Sequence, residues 1–238
     1  MKVGFPAGLN GLLDALPRVQ RDRLLRACEP ARLEFGDILC DPARPYSHAW
    51  FPQSGLISLV SRLNNASALD MGLIGHEGML GDTLVLGINS VPMRAVVQAS
   101  GESIRIPVTS LCRELNRSPA LRRVLAGYLY QRVLELSVNG ACTRFHQIEQ
   151  RLARWLLLAH DRTRGDHFRL THEYLADTLG VRRSGVTVAA GALQARGIIS
   201  YSRGVIRVVN RPGLEAAACE CYAKLNGHLV TGALRNAG

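Results

Sequence analysis

The run from Leu170 to Asn210 constrains this chain more than any other: LTHEYLADTLGVRRSGVTVAAGALQARGIISYSRGVIRVVN. Its apolar residues change period along the run. Over Thr171–Leu179, Tyr174, Leu175 and Leu179 share one helical face, and Thr171 stands where an N-cap oxygen is needed. Gly180 supplies the left-handed residue of a tight helix stop. A second helix is expected from Arg182 or Arg183 to Arg196, with Val186, Val188, Ala189 and Leu193 turned inward and Gly197 ending it. Ile198–Tyr201 and Val205–Val209 then alternate as short strands around Ser202-Arg203-Gly204, which reads as a hairpin.

Helix, glycine turn, helix and hairpin in this order form the layout of a winged helix-turn-helix. In such a unit the first helix braces the second, whose leading residues project toward a DNA major groove. Arg182, Arg183, Ser184 and Thr187 occupy that leading end. Arginine can donate two parallel hydrogen bonds to guanine, and Ser and Thr reach bases or phosphate. A helix N-terminus also favours a phosphate.

Charge points the same way. The 238-residue chain carries a formal net charge of +10. Between Thr143 and Arg211 stand twelve arginines against five acids, so the excess gathers around the opening stretch. Arginine-borne charge suits phosphate and base contacts. A hydrophobic fraction of 47% supports a packed core. No apolar run is long enough to span a bilayer, and the N-terminus lacks a signal-peptide core, so a cytoplasmic protein with no membrane partner is expected. Cysteines 28, 40, 112, 142, 219 and 221 are scattered and read as buried thiols of a reducing compartment. Cys219 and Cys221, even with His228, lack the two-residue gap and second cysteine pair of a common metal motif, so no metal is expected.

The chain divides into three parts. Residues 1–117 are the first. Within Gly11–Glu29 short helical segments break at Pro17, with Leu12, Leu13, Leu16, Leu24 and Leu25 capping a larger domain. From Ala31 to Pro107 short β-type runs alternate with turn residues, the pattern of an all-β sandwich or barrel: ARLEF, ILC, HAWF, LISLVSRL, SALDMGLIG, RAVVQA and ESIRIP. Gly36-Asp37, Asn64-Asn65 and Ser100-Gly101-Glu102 look like turns, the first and last like hairpin connections. The glycine-punctuated segment Gly75–Arg94 leads into a short helix. His76-Glu77 within it has no triad, Cys/His dyad or metal-spaced histidines around it, so no catalytic residue is expected.

Val108–Asn116 is helical, and Ser118-Pro119 starts a longer helix running to about Asn139-Gly140, assigned to residues 118–142. Leu121, Leu125, Tyr128, Leu129, Val133 and Leu136 recur at helical spacing, facing the β-domain, a second subunit or both; they are the candidate dimer residues. Residues 143–238 hold the basic unit. Arg144–Arg162 is an amphipathic helix with Ile148, Leu152, Trp155, Leu156 and Ala159 on one face. Arg164-Gly165-Asp166 turns the chain, and a short strand at His167–Leu170 comes next. Leu214–Leu225 is a terminal helix with Glu215, Glu220 and Lys224 outward, and Gly227–Gly238 is a frayed tail.

A β-domain, a long helix and a C-terminal winged helix in this order resemble the Crp/Fnr family of bacterial transcription regulators. The most specific portion is IEQRLARWLLLAHDR together with the opening stretch, and the run LEAAACECY at Leu214–Tyr222 is similar to one branch of that family. The resemblance implies an α+β fold: an N-terminal cyclic-nucleotide-binding-like β-roll, a long dimerisation helix and a C-terminal winged helix-turn-helix. By position, it makes Thr171 a phosphate contact, Arg183 the guanine reader and Arg203 a wing-tip phosphate contact. Ser184 stands where many members have a base-contacting Glu, and Val188 where some have a second Arg, so the operator differs from the familiar one; Arg182 can compensate. Nucleotide-binding members carry Gly-Glu for the ribose and Arg-Ser/Thr for the phosphate. Here Gly81-Asp82 echoes the first, and Met93 stands at the second with Arg94 one place away, so the effector pocket of Gly81, Asp82 and Arg94 is degenerate. Cys28 and Cys40 do not make the N-terminal cysteine cluster of iron–sulfur members. His48, His76 and His146 read as core or surface histidines rather than haem ligands.

The expectation is a homodimeric, sequence-specific regulator binding double-stranded DNA, with RNA polymerase as further partner, an effector whose identity the residues do not name, and no cofactor assigned. The other reading is a small-molecule sensor that acts mainly through a protein partner.

Overall fold

The computed structural model describes residues 10–42, 44–63, 67–90, 93–163 and 167–230. The turns expected at Asn64-Asn65 and Arg164-Gly165-Asp166, and residues 231–238 of the expected tail, lie outside the described residues.

Two short helices open the chain, α1 (Gly11–Asp14) and α2 (Arg18–Leu25), separated at Pro17 as its missing N–H requires. Seven strands come next: β1 (Glu29–Leu33), β2 (Ile38–Cys40), β3 (His48–Pro52), β4 (Leu56–Leu63), β5 (Ser67–Ile74), β6 (Arg94–Ala99) and β7 (Gly101–Pro107), with a 3-10 turn at Asp82–Leu86 before β6. They form two antiparallel sheets, ordered β1-β7-β3 and β2-β6-β4-β5. The chain changes sheets between β1 and β2, β2 and β3, β3 and β4, and β6 and β7, whereas β4 and β5 form a hairpin within one sheet. Ser100-Gly101-Glu102 is therefore no hairpin: β6 pairs with β2 and β4, whereas β7 pairs with β1 and β3. Gly36-Asp37 likewise carries the chain from one sheet to the other. The corners are fastened by Ser100 Oγ, which accepts from Phe35 N at 3.0 Å, and by Glu102 O, which accepts from Gln53 N at 2.8 Å.

Leu13, Leu16, Leu24, Phe51, Met79, Ile104 and Ile106 fill the space between the sheets. α3 (Val108–Arg117) closes it, and Ser118 then caps α4 (Pro119–Phe145), accepting from Leu121 N at 3.2 Å. Leu121, Leu125 and Tyr128 of α4 belong to this same core, each less than 5% exposed. They are consequently not dimer residues: their side chains are used up against the β-roll, each worth roughly 1.5–3 kcal/mol of burial. Leu129 and Leu136 are half-buried. The free face lies a third of a turn away, where Ala126, Tyr130, Val133, Ser137 and Gly140 are all exposed at alternating spacings of four and three. Gly140 does not stop α4, which runs on to Phe145.

His146 and Gln147 break the chain, and α5 (Ile148–Thr163) begins there rather than at Arg144. The remaining elements are β8 (His167–Arg169), α6 (His172–Leu179), α7 (Arg183–Ala195), β9 (Ile199–Ser202), β10 (Val205–Val208), α8 (Arg211–Ala217) and α9 (Cys221–Val230). The single terminal helix expected over Leu214–Leu225 is thus two helices broken at Ala218–Glu220. The first is capped by Asn210, whose side chain accepts from Gly213 N at 2.9 Å. A second core joins Leu152, Trp155, Leu156, Phe168, Leu175, Val186, Leu193, Ile206 and Leu214 to Leu56 and Leu73 of the β-roll. No helix among the described residues is long and apolar enough to cross a membrane.

A buried ionic network ties the three parts together. Glu135 of α4 meets Arg132 at 2.5 Å and Arg162 of α5 at 3.0 Å. Arg162 also meets Glu77, between β5 and the 3-10 turn, at 3.2 Å, and donates to Leu73 O at 2.6 Å. Burial alone would raise the Glu77 carboxyl, but Arg162 offsets this and holds it below the usual range. Glu77 is thus a structural counter-ion.

Candidate nucleic-acid interface

Thr171 caps α6, its hydroxyl accepting from Tyr174 N at 3.1 Å. Gly180 ends the helix with φ 63° and ψ 42°, a conformation only glycine adopts without strain. The chain turns within two residues and enters α7. Val186, Ala189, Ala190 and Leu193 bury one face of α7 against α5 and α6. Val188 does not join them: at 73% exposure it lies on the outer face beside Ser184 and Thr187. The reason is the helix phase. Residue 188 is two places from Val186 and so falls about 200° around a 3.6-residue helix.

The leading end of α7 stands in solvent. Arg182, Arg183, Ser184 and Thr187 are all exposed, and no side chain caps the helix. Its first amides therefore remain available to an anion. Thr187 Oγ1 donates to Arg183 O at 3.1 Å and lies 3.0 Å from His172 Nδ1. His172 in turn stacks on Tyr201, ring centroids 4.5 Å apart and planes 14° off parallel. The Tyr201 hydroxyl donates to Leu170 O at 3.2 Å, and its amide donates to Gln194 Oε1 at 3.1 Å. His172 and Tyr201 therefore lock α6, α7 and the hairpin into one rigid unit. Sequence periodicity did not single them out, because the stacking joins residues from different elements.

The hairpin is as expected, with β10 central between β8 and β9. Its tip is Arg203 at φ 50° and Gly204 at φ 76°, consecutive left-handed residues of a type I′ turn. Arg203 is exposed there. The structure thus brings Arg182, Arg183, Ser184 and Thr187 to one helix end, with Thr171 and Arg203 exposed on the elements flanking it.

The degenerate effector pocket is not assembled in the same way. Asp82 turns inward toward Arg132, 4.0 Å away, and burial raises its carboxyl despite that cation. Arg94 pairs with Asp41 at 2.8 Å. A cavity of about 290 Å³ beside Arg94 is lined by Arg62, Asp70 and Tyr174 but includes neither Gly81 nor Asp82. The three residues expected to share an effector site line no common cavity there.

Residues 150–217 match the model of the Crp-like helix-turn-helix domain. The chain is 25% identical over 199 residues to transcriptional regulator SdrP of Thermus thermophilus, covering 80% of this chain and 94% of that one. Among solved structures, FixK2 from Bradyrhizobium japonicum superposes with a TM-score of 0.68 at 14% identity, covering 81% of this chain and 98% of that one. A Crp/Fnr-family transcriptional regulator from Thermus thermophilus superposes with a TM-score of 0.60 at 23% identity, covering 80% and 98%. Both Thermus thermophilus relatives are transcriptional regulators. With its helix-turn-helix at the C-terminal end of a β-roll and long helix, the chain carries a Crp-like helix-turn-helix domain and is similar in fold to Crp/Fnr regulators.

Proposed function

We propose that the chain is a homodimeric, sequence-specific DNA-binding regulator that works in the cytoplasm. One observation carries the reading: the leading turn of α7 projects Arg182, Arg183, Ser184 and Thr187 into solvent beside an exposed wing-tip arginine. Arg183 reads guanine, Ser184 and Thr187 contact base edges or phosphate, and Thr171 and Arg203 hold the backbone. Arg182 supplies a further cationic contact. Val188 adds an apolar surface suited to a thymine methyl group. The dimer forms along the exposed face of α4 through Ala126, Tyr130, Val133, Ser137 and Gly140, flanked by Leu129 and Leu136. The two recognition helices then enter major grooves about 34 Å apart on a near-palindromic site, the spacing of one helical turn.

RNA polymerase is the protein partner this role calls for, and the β-roll is the place for an effector. A sensor working mainly through another protein is the competing reading. It would leave the cationic helix tip without a task. Competition binding of a labelled operator against random duplex tests the proposal. Arg183→Ala is expected to cost about 1–3 kcal/mol of discrimination at one base position. Wild-type discrimination in that variant would overturn the assignment of Arg183 as the reader.

A further inference from the structure

Cys142 lies in the last turn of α4, and His146 is the residue that caps it, its amide donating to Cys142 O at 3.1 Å. The chain returns to them at the break between α8 and α9, which carries Cys219 and Cys221. The donor atoms of these four residues all lie within 4.8 Å of one another. Cys142 Sγ is 3.6 Å from Cys219 Sγ, and Cys221 Sγ is 3.7 Å from His146 Nδ1. The three cysteines are 0%, 4% and 3% exposed, respectively. A tetrahedral centre with metal–sulfur bonds near 2.3 Å and metal–nitrogen bonds near 2.0 Å sets its donor atoms about 3.5–3.8 Å apart. A disulfide would need about 2.05 Å. An iron–sulfur cluster would divide the four ligands between two or four irons and spread the set further.

We propose that Cys142, His146, Cys219 and Cys221 form a mononuclear metal site of the structural zinc type. Two surroundings fit it. His146 Nε2 lies 3.1–3.2 Å from the Glu220 carboxylate; an Nε2–H that donates to this carboxylate leaves the Nδ1 lone pair for the metal. Three thiolates and a neutral imidazole around a divalent cation carry one net negative charge. Arg154, 7% exposed, is the cation beside them. It lies within electrostatic reach of both Cys142 and Cys219, and its buried Nε has no hydrogen-bond partner among the described residues. Binding displaces the thiol protons to solvent and involves no change of oxidation state.

Cys219-x-Cys221 is a poor metal motif when read along the chain. Its completing ligands come from 77 residues before Cys219 and 75 before Cys221, which only the packing of the C-terminal segment on the end of α4 reveals. The site pins the end of the long helix to the C-terminal segment at the His146–Gln147 break, where the chain passes into the DNA-binding unit. The metal thereby fixes the angle between the two.

The test is elemental analysis of full-length protein purified under reducing conditions without chelator, then Co²⁺ titration of the metal-free form. One zinc per chain is expected, with thiolate-to-cobalt charge-transfer bands and strong tetrahedral visible bands that saturate at one Co²⁺ per chain and are erased by zinc. Cys142→Ser and Cys219→Ser should each lose these bands, and Glu220→Ala should weaken binding about 10–100-fold. Absence of both retained metal and charge-transfer bands in the wild-type chain would overturn the proposal, as would iron with inorganic sulfide, or bands unchanged in both cysteine variants. The wild-type titration decides the matter even where a variant fails to fold, and no readout depends on DNA.

Discussion

Arg162 is the residue through which the long helix, the β-roll and the DNA-binding unit meet, and removing it should be among the most damaging single changes in the protein. Its side chain is 6% exposed and faces Glu135 at 3.0 Å and Glu77 at 3.2 Å. Arg162→Met keeps most of the volume and deletes the charge. Glu135 retains Arg132, but Glu77 keeps only the Gly75 amide at 3.2 Å and His76, 3.8 Å away, with no compensating arginine. Breaking a buried pair from one side costs about 3–5 kcal/mol. For a chain of this size that is roughly a 10 °C fall in Tm. Glu77→Gln placed in the same background removes the stranded carboxylate and should recover at least half of the loss. Urea and thermal unfolding of both single variants and the double variant, read as a double-mutant cycle, give the coupling directly. An Arg162→Met variant within about 1 kcal/mol of wild type, or a double variant as unstable as the two singles added, would refute this account of the network.

Other consequences are open to measurement. Arg203→Ala should weaken binding to all duplexes alike and reduce the slope of log affinity against log salt by about one phosphate contact; an unchanged slope would remove Arg203 from the backbone. Val133→Glu should shift sedimentation toward monomer, whereas Leu125→Ala should instead lower stability by about 2–5 kcal/mol through a cavity in the β-roll core; the opposite pattern would return the dimer face to the buried leucines. Asp70 gives a pH signature. Burial pushes its carboxyl up to about 6, against hydrogen bonds from Ser58, Trp155 and Gly72. The stability it contributes is fully present below the ordinary aspartate range and is lost as pH rises through about 6. Between about pH 5 and pH 7 the wild type should therefore lose roughly 1 kcal/mol relative to Asp70→Asn. A constant difference between the two proteins would contradict the shift.

Residues with local consequences were legible in the sequence. Thr171, Gly180, Gly197 and the Arg203-Gly204 tip act through their own backbone, so cap, stop and turn could be read residue by residue. The β-runs were readable from alternation, but the partners of β6 and β7 were not, because a strand's own residues do not say which sheet it joins. The phase of α4 misled for a similar reason. Leu121, Leu125 and Tyr128 make one apolar stripe and Tyr130 and Val133 lie on another, and only packing decides which stripe meets the roll. Val188 looked like core because it is apolar, yet its angular position puts it outside. The cysteine–histidine cluster was invisible because its halves are brought together by the contact of α9 with α4. Arg94 and Asp82 were linked by analogy of position, whereas each is held by a different counter-ion, Asp41 and Arg132.

The central claim is that the exposed tip of α7 reads duplex DNA as one half of a twofold pair. Selection of bound duplexes from a random pool, with hydroxyl-radical footprinting of the enriched sequence, tests it most directly. The account predicts a near-palindromic motif whose half-sites are about one helical turn apart, protected on one face and lost with Arg183→Ala. A pool that gains no sequence preference, or a preference that survives intact without Arg183, would contradict it.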